Sequence, residues 1–248
     1  MKGSKYINQS FILLISLLYA GSTRSQQVFT IEVPDTPGIV SRVPETLSVQ
    51  RNKKLPEGFE EQASKALERF PELRNVPIRF KVKKSFATLK TRPTFISMFM
   101  PRGHRTYVII ISNKSADTLA PVLLAHLPYQ AQVGIIGHEL SHVSDFSKRT
   151  RWQCFKIAIN HFSPRYMDRL EFNTDLICIR HGLGKELETW SSYIRNTMHT
   201  NNWRGADYVY KGDINHERYM NPSTIEKYME ISNTSSIKNL HSTIENAR

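Results

Sequence analysis

Cysteine is scarce: Cys154 and Cys178 are the two in 248 residues. That excludes a disulfide-dense scaffold, a four-thiolate metal site and a Cys-x-x-Cys redox pair. One disulfide in an oxidising compartment and two buried thiols both fit, and sequence alone does not choose between them. Past the N-terminus no apolar run approaches the ~20 residues of a membrane-spanning helix, so the chain is expected to be soluble, without a transmembrane anchor. No internal repeat is present. Acids are also in short supply, with 22 Asp and Glu against 34 Lys and Arg, a formal net charge of +12. Such a balance favours anionic partners: nucleic acid, phospholipid surface or cell-envelope polymer. The cations are nevertheless scattered, with short groups at Arg51-Asn52-Lys53-Lys54 and Lys81-Val82-Lys83-Lys84. No aromatic-interleaved basic stripe and no nucleic-acid signature appears. Nucleic acid is therefore not expected, an anionic envelope surface stays a candidate partner, and most of the charge reads as solvated surface.

What the chain does have begins with Lys2 and Lys5, an apolar run from Phe11 to Ala20, and the small residues Gly21, Ser22, Thr23 and Ser25. This is the order of a secretory signal peptide, assigned to residues 1–25, and it points to a secreted or periplasmic protein of a bacterial cell envelope. Residues 26–56 are punctuated by Pro34, Pro37, Pro44 and Pro56 and read as an extended lead-in. Phe59, Ala63, Ala66, Leu67 and Phe70 mark a helix over 57–70. β-like runs follow at Ile78–Val82, Thr94–Met100 and Thr106–Ser112, with a hairpin turn at Pro101-Arg102-Gly103 between the last two. From residue 129 the period becomes helical: Gln130–Phe146, Trp152–Phe162, Pro164–Arg180 and Glu186–Met198. A loop-rich stretch spans 201–221, a short helix runs from Pro222 to Ile231, and 233–248 is expected to be a flexible tail. The folded domain is placed at 57–232.

The second helix carries His138-Glu139-Leu140-Ser141-His142. Helical positions i and i+4 face the same way, so both imidazoles can address one ion. Glu139 is rotated off that line, near enough to take a proton from water activated by the metal. The preceding Val133 to Gly137 is apolar or small, as a buried helix requires.

A catalytic zinc keeps three protein ligands and one open position. Glu171, 29 residues beyond His142, is the best third ligand. Asp175 lies four residues later on the same helix face, placed to accept the free N–H of a ligand histidine. Asp145 sits about 10 Å along the helix axis from His138, too far for an easy metal bond. His161 and His181 flank the Glu171 helix and stay as alternatives to it.

His-Glu-x-x-His on one helix with Glu-x-x-x-Asp on a later one resembles the zincin metallopeptidases of the gluzincin type. Leu170 stands where thermolysin-like members carry Asn. The Glu-x-x-x-Asp form is closer to membrane-associated heat-shock and CAAX-processing peptidases, whose spanning helices are missing. The resemblance implies an α+β, zincin-like fold with a small, mostly antiparallel sheet packed on the active-site helix and a mainly helical C-terminal half. It implies one Zn2+, hydrolysis of a peptide or protein substrate, and Glu139 as general base. It also implies that the Thr106–Ser112 strand receives substrate in extended form. An oxyanion-stabilising residue is expected downstream, where Tyr208, Tyr210, His216 and Arg218 are the candidates.

Overall fold

The apolar run at Tyr107 to Ile111 becomes the centre of a four-stranded sheet in the computed structural model, which describes residues 52–160, 163–205 and 217–246. These residues all belong to one unit, Val43–Arg248. The segment 1–25 and most of 26–56 lie outside the described residues. In chain order the strands are β1 (Lys53–Lys54), β2 (Ile78–Lys83), β3 (Leu89–Pro93) and β4 (Tyr107–Ser112). Their spatial order is β1-β2-β4-β3.

The sheet is mixed rather than mostly antiparallel: β1/β2 and β2/β4 are parallel, and only β3/β4 is antiparallel. The expected hairpin strand Thr94–Met100 is absent. Its place in the sheet is taken by β3, and residues Ile96–Phe99 form a 3-10 turn. Ser97 explains the difference, because its Oγ accepts from Thr94 Oγ (2.6 Å) and from the Thr106 amide (2.9 Å). Those side-chain bonds offer the backbone a turn in place of a ladder. β4 is buried along its whole length, as a continuous apolar strand should be.

Among the described residues, six α-helices accompany the sheet: α1 (Glu60–Leu67), α2 (Tyr129–Lys148), α3 (Arg151–Asn160), α4 (Pro164–Cys178), α5 (Gly184–Met198) and α6 (Pro222–Asn246). The coarse class, a small sheet with a mainly helical second half, is thus α+β. The last helix runs well past Ile231, over residues expected to fray. α2 packs between the sheet, α1, α4 and α5. It is buried on nearly all sides, so its hydrophobicity is not confined to one stripe. Gly134 lets α5 come close: a Cβ there would overlap the Glu186 carbonyl. Gly182, at φ 76°, ends the α4 path in a left-handed residue and turns the chain into α5. Gly184 then begins α5. Cys154 and Cys178 are both free and buried.

Among the described residues no helix is long and apolar enough to cross a membrane.

Candidate metal centre

α2 and α4 cross so that His138, His142 and Glu171 bring one ligand atom each within 4.8 Å of one another. All three are buried. Glu171 Oε2 lies 3.1 Å from His138 Nε2 and 3.2 Å from His142 Nε2. The opposite ring nitrogens are already engaged. His138 Nδ1 donates to Asp175 Oδ1 at 2.7 Å, and Asp175 Oδ2 accepts from the Met220 amide at 2.8 Å. His142 Nδ1 lies 3.2 Å from Thr174 Oγ, whose own proton goes to the Leu170 carbonyl at 2.8 Å. With that proton committed, Thr174 offers only lone pairs to His142, so Nδ1–H is the donor.

These partners fix both tautomers. Each neutral imidazole then turns the Nε2 lone pair toward Glu171, and two nitrogen lone pairs and a carboxylate oxygen converge. Three such atoms repel unless a cation lies among them. Without a metal that cation is a proton: burial would lower the His138 pKa, but Asp175 and Glu171 outweigh it and push it up to about 10. Burial works against the Glu171 carboxylate as well, and the two histidines more than offset it, holding its pKa far below the ordinary range. Two imidazoles and a carboxylate are a donor set that fits a divalent metal.

Glu139 faces the same space without joining the ligand set. Its Oε2 is buried and has no hydrogen-bond partner among the described residues, a costly state for a carboxylate unless a further group completes it. Burial, set against the nearby histidines, raises its pKa. That is the direction a base working near neutrality needs. Aromatic rings enclose the histidines. His138 packs against Tyr219 and Trp190, with ring centroids 5.5 and 6.1 Å away. His142 stacks on Phe146 at 5.6 Å. Burial and the Glu171 charge push the Tyr219 phenol well above its ordinary pKa, so it stays protonated and able to donate.

The other candidates lie elsewhere. Arg218 donates to Asp168 Oδ1 at 2.8 Å, beside Arg204, which reaches the same carboxylate. Its charge is spent on that buried cluster, and the aromatic donor against the imidazoles is its neighbour, Tyr219. Tyr208, Tyr210, His216 and His161 lie outside the described residues. His181 is tied through Nδ1 to the Ile177 carbonyl and through Nε2 to Glu72, and stacks on Phe70. Asp145 pairs with Arg149 at 2.6 Å. Sequence reasoning passed over Thr174, Trp190 and Tyr219. Thr174 alone left a signal, one residue from Asp175 and three from Glu171 on the same helix face.

The strand expected to receive substrate is also different. β4 is hydrogen-bonded on both sides, to β2 and to β3, and has no edge to offer. Among the described residues the edge strands are β1 and β3, and the Thr91 hydroxyl of β3 donates to the Glu139 carbonyl at 3.1 Å.

Comparison with protein-family models, curated proteins and solved structures yields no match to this chain. A functional reading therefore stands on the residues themselves.

Proposed function

We propose that this chain is an exported zinc metallopeptidase. The observation that carries the reading is the convergence of two tautomer-locked Nε2 atoms on Glu171, with the buried Glu139 Oε2 left without a hydrogen-bond partner among the described residues. His138, His142 and Glu171 are the zinc ligands, with Asp175 and Thr174 orienting the two imidazoles. Zinc, when bound, supplies Lewis acidity toward a carbonyl oxygen and toward water.

The remaining chemistry belongs to the chain. Glu139 takes the proton of the attacking water and returns it to the leaving amine, which its raised pKa favours. Tyr219, a neutral donor whose ring packs against His138, serves the developing oxyanion. An extended peptide adds to the free side of β3, bringing its carbonyls alongside α2. Trp190, Phe146 and the Tyr219 ring exclude water around the ligands. Export rests on the charged, apolar, small-residue order at the N-terminus.

The test is cleavage of a broad peptide panel by zinc-loaded protein and by Glu139→Gln. The parent should cleave, and the variant should retain zinc while losing turnover by about 100-fold or more. Equal turnover by both proteins, or none by either on the whole panel, contradicts the assignment.

A further inference from the structure

Residues 73–116 and 146–167 contain no Asp or Glu, and the Ile96–Phe99 turn of the first stretch packs against α3 of the second. The sheet collects the cations of the first stretch. Ile78 and Phe80 point into the core, so Arg79, Lys81 and Lys83 share the outer face of β2. The register sets Arg79 and Arg92 on either side of Val108, and Lys81 and Lys90 on either side of Ile110. Val108 and Ile110 are nonetheless buried, under the aliphatic stems of these side chains. None of the five cations makes an ion pair among the described residues. Burial, with a further contribution from the repulsion of Arg92 and Lys83, lowers the Lys90 pKa.

Apolar side chains stand beside this face. A depression of about 290 Å3 is lined by Arg79, Thr94, Thr106, Phe95 and Ile96, which joins the basic sheet to the Ile96–Phe99 turn. The turn meets α3, where the Arg151 guanidinium donates to the Phe99 carbonyl. α3 is apolar on two opposite sides. Cys154 and Ile157 face the core, whereas Trp152, Phe155 and Ile159, spaced i, i+3 and i+7, form an outward stripe flanked by Arg151 and Lys156. Phe95, Ile96, Phe99 and the three stripe residues are between 48% and 69% exposed.

We infer that this face docks on an anionic phospholipid bilayer. The cations of the sheet meet headgroup phosphates, and the turn and the α3 stripe enter the headgroup–acyl boundary. Bulky apolar groups at the rim of an unneutralised basic face are what such an interface takes up. A nucleic-acid backbone matches the charge but has no use for Ile96, Ile159 and Phe99. A second copy of this chain would bring like charge against like. The inference is independent of the metal site.

Trp152 supplies the probe, since Trp190 and Trp203 are buried. Purified protein is mixed with vesicles of phosphatidylcholine alone, or of equal parts phosphatidylcholine and phosphatidylglycerol, and Trp152 emission and co-sedimentation are followed. The expected result is a blue shift and sedimentation with the anionic vesicles, suppressed by salt and weak with phosphatidylcholine alone. Phe155→Ser with Ile159→Ser should weaken partition roughly tenfold or more. Arg79→Gln and Arg92→Gln should each cost about fivefold. All four positions are on the surface, and unchanged far-UV circular dichroism verifies folding. An unshifted Trp152 on anionic vesicles overturns the inference. So does a shift produced by an oligonucleotide but not by vesicles, or one that tracks self-association in the absence of lipid.

Discussion

Replacing Asp175 by Asn keeps the shape of the side chain and removes one acceptor from a group that uses two. Oδ1 takes the His138 Nδ1 proton at 2.7 Å and Oδ2 takes the Met220 amide proton at 2.8 Å. An amide has a single oxygen, so one donor must face an NH2 group. If that donor is His138, the ring proton moves to Nε2, where the metal should bind, and zinc affinity falls about 10- to 100-fold. If it is Met220, a buried N–H is orphaned at a cost of about 1–3 kcal/mol in stability. The variant cannot escape both. Zinc titration against a chromogenic chelator and thermal unfolding of the metal-free protein separate the two outcomes. The pH dependence gives a second check with a defined sign. In the metal-free parent His138 holds its proton up to about pH 10, so zinc must displace it, and affinity should rise with pH by up to about tenfold per unit between neutrality and that value. In Asp175→Asn the proton is held less tightly and the slope should flatten at lower pH. Zinc affinity within twofold of the parent, with an unchanged slope and melting temperature, would refute the role given to this carboxylate.

Other perturbations reach the scaffold. Gly134→Ala gains about 1 kcal/mol in helix propensity, but the overlap with the Glu186 carbonyl should cost more, for a net loss of about 1–3 kcal/mol in urea unfolding. Asp168→Ala removes the carboxylate that Arg204 and Arg218 both reach in a buried cluster, and should cost about 3 kcal/mol. Burial would raise the Asp168 pKa, but these arginines hold it below its ordinary value, and the Ser144 and His181 contacts do the same against burial at Glu72. Both carboxyls therefore add stability above about pH 4 that is lost as the pH falls through their depressed values, measurable as a falling melting temperature of the metal-free protein. Tyr219→Phe should lower turnover with little change in zinc content; an unaltered kcat removes it from the reaction.

The helix α2 was legible because two signals coincide in it: the i, i+4 histidines and the apolar or small run that buries them. Glu171 and Asp175 were legible by the same spacing. Thr174 carries only its place three residues after Glu171, which gains meaning once a histidine stands opposite it. Tyr219 and Trp190 reach His138 only through the packing of α5 and of the chain before α6 against α2, which no local pattern encodes. β3 was hidden by Lys90 and Arg92, whose outward direction is fixed by pairing with β4, and by Pro93, which suits an edge strand. The apolar composition of Thr94–Met100 drew the strand to the wrong place, while the Ser97 hydroxyl decided for a turn. The basic face was equally hidden: its cations look scattered along the chain, and only the two-residue period and the strand register gather them.

Metal analysis of the purified protein bears most directly on the site, made in parallel on the parent, His142→Ala, Glu171→Ala and Glu139→Gln. The geometry predicts near-stoichiometric zinc in the parent and in Glu139→Gln, and its loss from the other two. A parent without bound metal, or zinc that survives His142→Ala, would contradict it.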